Sequence, residues 1–356
     1  MVHRLGEEVA VRLVSIATAV PPYALEQDDI AARIRAQFSR SEVVQRLMPV
    51  FSSAGIRRRY SCIPIEWYYD AHGWAERNAI YLDSAQTLLE EAARAALERA
   101  GIRASDVGAV AIVSTTGIAT PSFDARLIDR LGLPNTVRRL PIFGLGCVGG
   151  AIGLARAAML AQTLPASNVL LLVVELCALW FRRDDLAKSN VVATALFGDG
   201  AAAAVLRTGG RGPAIAASGE YTFPQTLDVM GWDVAEDGLR AIFSRDIPQL
   251  VRSRMREIVD AYLAESNLDR DAIDVFLSHP GGTKVLDALE SAFGLAPGKL
   301  ADSRATLTEY GNMSSVTLLF VLERALREGA LAQPWRRALL SAMGPGFTAA
   351  FVTLEP

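Results

Sequence analysis

Histidine and cysteine are scarce in this chain, with three of each among 356 residues. Cys62, Cys147 and Cys177 form an odd set without regular spacing. No disulfide framework can rest on them, and no second His/Cys cluster completes a zinc site. Free thiols in a reducing compartment are expected. A basic excess is also missing. Thirty-six lysines and arginines face 39 acidic residues, a net charge of −3, so nothing points to a nucleic-acid partner, and no acidic tail points to disorder. The longest aliphatic run, Val169 to Val174, is far too short to cross a bilayer. The opening residues, Met1 to Glu8, lack the apolar core of a secretory signal. What is present, 51% hydrophobic and 21% charged residues, fits a cytoplasmic globular protein with two domains or two similar halves.

Hydrophobic spacing makes Val9 to Ala17 a first strand, which Pro21-Pro22 breaks before an amphipathic helix over Gln27 to Phe38. Asp83 to Ala100 reads as a long helix stopped by Gly101. Ala109 to Val113 is a buried strand running into Ser114-Thr115-Thr116-Gly117, hydroxyls placed where open α/β sheets often line a site. Arg126 to Leu133 is a helix, and Val169 to Glu175 and Ala201 to Leu206 are buried strands. Gly209 to Pro213 marks a boundary between residues 1–208 and 209–356. The second half repeats the order. Helix Ile247 to Ser266 precedes strand Val275 to Ser278 and helix Lys284 to Phe293. A further helix opens at Tyr310 to Ser315 and runs to Arg327, ahead of strands Arg337 to Ala342 and Thr348 to Thr353. Helices alternating with buried strands in both halves imply a layered α/β fold built as a pseudo-repeat.

Cys147 stands in Phe143-Gly-Leu-Gly-Cys147-Val-Gly-Gly, ahead of a small-residue run, Ala151 to Ala161, that reads as a buried helix. A thiol at a helix N-terminus is favoured as a thiolate and suits covalent catalysis. Equally, free cysteine is among the most buried residue types and can be plain core. Of the histidines, His3 lies at the terminus and His72 in a polar stretch rich in aromatics. His279 follows a buried strand and is fixed by Pro280-Gly281-Gly282. A lone histidine there is more often structural, but an imidazole paired with a thiol yields a thiolate–imidazolium pair. Asn312 offers a side-chain amide at a helix start, where an ordinary N-cap is the simpler role. Arg57-Arg58-Arg59 reads first as a solvated face and second as a grip for phosphate.

Gly146-Cys147 with its small-residue helix, Phe197-Gly-Asp-Gly, His279-Pro-Gly-Gly, Tyr310-Gly-Asn312-Met-Ser-Ser and Gly344-Pro-Gly occur in the order that resembles type III polyketide synthases. These are the chalcone-synthase-like members of the thiolase superfamily, and the likeness runs from about Val9 to the C-terminus. It implies a homodimer of thiolase-like, five-layered αβαβα subunits with a CoA-binding tunnel. It implies Cys147 as the nucleophile that takes an acyl group from acyl-CoA. His279 would hold the thiolate and, with Asn312, bind the thioester carbonyl of malonyl-CoA and stabilise the enolate left by decarboxylation. Phe197 matches a gatekeeping phenylalanine, although core packing would also account for it. Thr115, Cys177, Trp180, Trp232, Ala241 and Ser314 fall at cavity-lining positions, and Gly281 and Gly282 join the substrate-binding set. This chemistry requires no metal, nicotinamide or carrier protein, only CoA thioesters as substrates.

In chalcone synthase the positions of Trp180 and Trp232 are small and that of Ala241 is a phenylalanine. Two indoles, about 150–250 Å² of surface each, would fill much of a flavonoid-sized cavity. Cys177 and Ala241 would leave a channel for an aliphatic starter, as in bacterial alkylpyrone and alkylresorcinol synthases. Arg46 and the arginine run lie near the family's CoA-phosphate cations. The nearest alternative, a ketoacyl–acyl carrier protein synthase, shares Cys, His and Asn, but Met313 and Pro345 argue against it.

Overall fold

A computed structural model describes residues 2–4, 10–244 and 246–356. Ten strands form one hydrogen-bonded sheet, nine of them in the order Val275–Ser278, Ala338–Gly344, Thr348–Glu355, Ala214–Thr222, Val11–Ala19, Asp199–Thr208, Asn168–Leu176, Val107–Ser114 and Arg138–Phe143, with Val2–Arg4 paired onto Ala214–Thr222. The two halves of this path join where Arg12 pairs with Ala214. Each half repeats one pattern. Asp199–Thr208 lies antiparallel between Asn168–Leu176 and Val11–Ala19, and Thr348–Glu355 lies antiparallel between Ala338–Gly344 and Ala214–Thr222. In each half a parallel strand then joins the first of these.

Alternation along the strands sorts side chains into layers, because successive residues face opposite sides of a sheet. Leu171 and Val173 face one core with the central helices Gly149–Thr163 and Ser315–Arg327, while Leu170, Leu172 and Val174 face another with the outer helix Trp74–Ala100. In the second half, Leu340 and Ala342 turn toward the same central helices, and Leu339 and Met343 toward outer helices Ile247–Ala264 and Thr283–Phe293. Helix, sheet, paired helices, sheet and helix give the five layers expected. Gly150 lets the central helices touch, since a Cβ there would lie 2.3 Å from the Ser315 carbonyl oxygen.

The main differences from the sequence reading have local causes. Strand Val11–Ala19 begins two residues after the expected Val9, which lies outside the described residues. The Trp74–Ala100 helix starts nine residues before Asp83, because its first turns bury Arg77 and Tyr81 rather than an aliphatic stripe. Helix Ala301–Tyr310 and the hairpin Met230–Ala235/Gly238–Phe243 were not foreseen. Gly209–Pro213 connects strand Asp199–Thr208 to strand Ala214–Thr222.

Candidate active site

Gly146–Val148 forms a single tight turn that leads into the central helix Gly149–Thr163, and Cys147 in its middle is buried. Gly146 has φ +50°, which glycine adopts without steric cost. Space forbids a side chain there as well, since a Cβ would meet Pro345 Cδ at 2.6 Å. A Cβ on Gly344 would lie 2.6 Å from both the Leu145 oxygen and the Val148 nitrogen. The Gly344-Pro-Gly motif is therefore the surface against which the cysteine turn is pressed. From the other side, Gly146 N donates to Thr115 Oγ1 at 3.0 Å.

Behind Thr115 lies Glu175, fully buried. Its Oε2 accepts from the backbone of Thr115 and Thr116 at 3.0 Å each and from Thr116 Oγ1 at 2.8 Å, and its Oε1 accepts from Ser315 Oγ at 2.7 Å. Burial nonetheless raises this carboxyl to about 7, with the four donors opposing the rise.

Asn312 is not the cap of the following helix. Ser314 holds that position, at φ +50° and ψ −127°. Such a conformation costs a serine of the order of 1–3 kcal/mol and has to be held by its surroundings. Part of the hold is Asn312 Oδ1, which accepts from Ser314 N at 2.8 Å. With its oxygen engaged, the amide is left with its NH₂ group as the free function. The side chains of Ser314 and Asn312 lie beside the Cys147 thiol. Burial pushes that thiol up to about 12; the Ser314 and Asn312 side chains oppose the rise and the field of Glu175 adds to it. The helix N-terminus alone therefore does not make a thiolate here.

His279 follows strand Val275–Ser278, and its backbone N donates to Ser341 O at 2.8 Å. This ties it to the strand Ala338–Gly344, whose end abuts the Cys147 turn. The imidazole is buried, neither ring nitrogen has a partner among the described residues, and burial lowers it to about 3. Thiol and imidazole are each driven toward the neutral form by the same desolvation.

Phe197 links this group to a pocket. Its backbone bridges to Asn312, and its ring packs 5.4 Å from Trp232 and 5.7 Å from Phe243, centroid to centroid. Cys177, Trp180, Phe197, Trp232 and Ala241 line one end of a pocket. Leu25, Ile30, Ile34, Ile65 and Phe181 continue it toward Arg33 and Tyr69. Trp180 belongs partly to the core, since its Nε1 donates to Thr116 O at 2.6 Å and its ring lies 5.0 Å from Trp74. Thr115 and Ser314 sit beside the cysteine instead. Gly281 and Gly282 lie outside this pocket, at the start of helix Thr283–Phe293, where a Cβ on Gly282 would be 3.8 Å from Leu196 Cδ2. Among the described residues no cluster of His, Cys, Asp and Glu could hold a metal, and no helix is long and apolar enough to cross a membrane.

The chalcone and stilbene synthase profiles match this chain twice, the N-terminal domain over residues 3–210 and the C-terminal domain over 215–355. The chain belongs to that family. A putative chalcone synthase of Bacillus subtilis is 39% identical over 94% of this chain and 96% of its own length. The 1,3,6,8-tetrahydroxynaphthalene synthase of Streptomyces peucetius subsp. caesius is 39% identical over 96% of this chain and 92% of its own. The crystal structure of the Streptomyces coelicolor tetrahydroxynaphthalene synthase, a bacterial type III polyketide synthase, superposes with a TM-score of 0.92 at 30% identity, covering 97% of this chain and 99% of that one. This type III polyketide synthase is thus a thiolase-fold acyltransferase of the class that condenses malonyl-CoA iteratively.

Two parts of the synthase's site escaped the sequence reading. Glu175 left a usable signal, a single charge ending an otherwise aliphatic buried strand, which demands partners. Arg59 left none. Arg57 and Arg58 pair with Glu309 at 2.6 and 3.1 Å, but Arg59 is 2% exposed, so the run is neither a uniform solvated face nor a free phosphate grip. Arg46 pairs with Glu42 on the surface.

Proposed function

We propose that Cys147 carries the growing acyl chain and that the product is an alkylpyrone or alkylresorcinol. His279 takes the Cys147 proton as Sγ attacks the thioester carbonyl of a starter acyl-CoA. The C–S bond to CoA breaks, and the CoA thiolate leaves with that proton. Malonyl-CoA then loses CO₂, and the electron pair of the broken C–C bond remains as an enolate. Hydrogen bonds from Asn312 and from His279 to the enolate oxygen stabilise it in a dry site. The apolar face of Phe197 favours expulsion of the carboxylate as neutral CO₂. The enolate carbon attacks the acyl-cysteine carbonyl, releasing the Cys147 sulfur for another round.

The observation that carries the alkyl assignment is the pocket beyond Phe197. Its walls at Ile30, Ile34, Ile65, Phe181 and Ala193 suit an aliphatic chain, and Ala241 adds only a methyl group to the lining. The test is incubation with malonyl-CoA and starters from acetyl-CoA to palmitoyl-CoA, without carrier protein, read by mass spectrometry. Products that retain the starter's alkyl tail after two or more condensations are expected. A single β-ketoacyl product, or none without carrier protein, would overturn the reading.

A second reading has its own support. Relatives include synthases of tetrahydroxynaphthalene and of phloroglucinol, polyhydroxylated aromatics without an alkyl tail. A tail-free aromatic made from malonyl-CoA alone in the same incubation would favour it. The working unit is proposed to be a cytoplasmic homodimer, in keeping with Phe143 and Ile118, 67% and 50% exposed near the sheet edge; sedimentation at micromolar concentration tests this.

A further inference from the structure

Four consecutive carbonyls close the helix Lys188–Leu196 and enter the Phe197 turn, and each has a donor from elsewhere in the chain. Thr194 O accepts from Arg59 Nη1 at 2.5 Å, and Phe197 O accepts from the same nitrogen at 3.1 Å. Ala195 O accepts from Gln27 Nε2 at 3.0 Å, and Leu196 O from the backbone N of Asn312 at 2.8 Å. The last carbonyls of a helix have no partners within it. Here a buried cation and a buried amide supply most of what is missing, in the orientation that the helix dipole favours. Arg59 also donates to Gln27 Oε1, and Gln27 Nε2 reaches Phe51 O at 3.1 Å, so the two side chains form one unit.

This unit lies one peptide from the chemistry. Gly198 N donates to Asn312 O at 3.0 Å, and Asn312 N donates to Leu196 O, so the segment around Phe197 and the Asn312 backbone are laced together. The arginine stem packs against both strands of that lacing, since a Cβ on Gly198 would lie 3.2 Å from Arg59 Cβ and one on Gly311 3.3 Å from it. Burial lowers the guanidinium only to about 10, so it keeps its charge at neutral pH.

We propose that Arg59, seconded by Gln27, is a positioning residue that sets the Asn312 amide and the Phe197 ring together by fixing the carbonyls on either side of Leu196. The proposal rests on the reading of Asn312 as a donor to the malonyl thioester. Lysine cannot replace the arginine, because one ammonium lacks the planar fork that reaches two carbonyls and an amide oxygen at once. A misplacement of about 1 Å can cost on the order of 100-fold in rate, so a tenfold or larger effect is expected from loosening the unit.

The test separates two steps that need different groups. Acyl loading onto Cys147 is followed by intact-protein mass with starter acyl-CoA alone, and decarboxylation by CO₂ release from malonyl-CoA. Arg59→Lys is expected to lower the kcat of decarboxylation roughly tenfold or more while loading stays within about twofold. In an Asn312→Ala background the same substitution should cost several-fold less, since only its hold on Phe197 is then left to lose. Gln27→Met should show the same pattern more weakly and serves if Arg59→Lys does not fold. Equal losses in both backgrounds, equal losses in both steps, or a wild-type decarboxylation rate would overturn the proposal. Should Asn312→Ala alone decarboxylate at the wild-type rate, the fault would lie with the reading of Asn312.

Discussion

Ser315 Oγ donates to Glu175 Oε1 at 2.7 Å, a bond between the two halves of the chain that lies one residue from the cap of a central helix. The same carboxyl holds Thr115, and Thr115 holds the turn of Cys147. Its position is costly as an anion, because burial outweighs four donors and lifts it from 4.5 to about 7. The folded state therefore binds a proton that the unfolded state has released between about pH 4.5 and 7. Stability contributed by this group is present below that window and is lost as pH rises through it. In Glu175→Gln nothing titrates there. The melting temperature of the variant minus that of the wild type should become more positive from pH 5 to pH 8. A constant or falling difference would show that Glu175 does not titrate as its burial implies.

Loading and decarboxylation should separate in Cys147→Ala. Without sulfur no acyl-enzyme forms, so chain extension is abolished, while malonyl-CoA can still meet Asn312 and His279 and release some CO₂. Asn312→Ala should weaken both CO₂ release and extension, by about 2.7–4 kcal/mol in the barrier if one oxyanion donor is lost. Radiolabelled malonyl-CoA measures both, and full extension in either variant would remove that residue from its role.

Thiol and imidazole are both pushed toward neutrality by burial, so in the proposed mechanism the thiolate forms only by proton transfer to His279. In His279→Ala the acceptor is gone and only the desolvation remains. Labelling of Cys147 by iodoacetamide at pH 7, followed by peptide mass, should slow at least tenfold, on the order of one pKa unit or more. An unchanged labelling rate would mean that another group activates the sulfur.

The layered fold was legible because its strands are long aliphatic runs and its core helices are poor in charge, as in Val169–Val174 and Ala151–Ala161. Cys147, His279 and Asn312 stood out as candidates because each sits where a strand or helix ends in glycine-rich sequence. Arg59 was opaque for a physical reason. An arginine beside two surface arginines has the same composition whether or not it is buried, and only the tertiary position of the Lys188–Leu196 helix makes its partners. Asn312 misled in detail, because an Asx bond to Ser314 N mimics a cap two residues early. The hairpin carrying Trp232 and Ala241 was missed because its strands are half-exposed and mix charges with aromatics.

Close approach of the central helices makes Gly150 a sensitive position. A Cβ there would sit 2.3 Å from the Ser315 carbonyl oxygen, a backbone atom that cannot swing aside. Gly150→Ala gains helix propensity of about 0.8–1.0 kcal/mol but must push Ser315 away, and overpacking of this kind costs about 1–3 kcal/mol. The net effect should be destabilising, with reduced activity, because Ser315 adjoins Ser314 at the Cys147 thiol. Denaturant unfolding of wild type and variant decides it, and a variant at least as stable as the wild type would show that the helices can part without cost.

Chain-length selection should respond to Ala241. Its methyl packs with Cys177, Ala193 and Phe197 at the inner end of the pocket, so Ala241→Phe would place a ring where the first methylenes of an aliphatic starter would lie. Each methylene kept out of an apolar site forfeits about 0.8 kcal/mol, close to fourfold in affinity. The loss in kcat/KM should therefore grow with starter length, small for acetyl-CoA and steep for lauroyl-CoA, and the products should shift to short-tailed or tail-free compounds. Comparing kcat/KM across a starter series in the two proteins measures this slope. Parallel lines, with the same factor lost at every length, would mean that the alkyl tail does not pass Ala241.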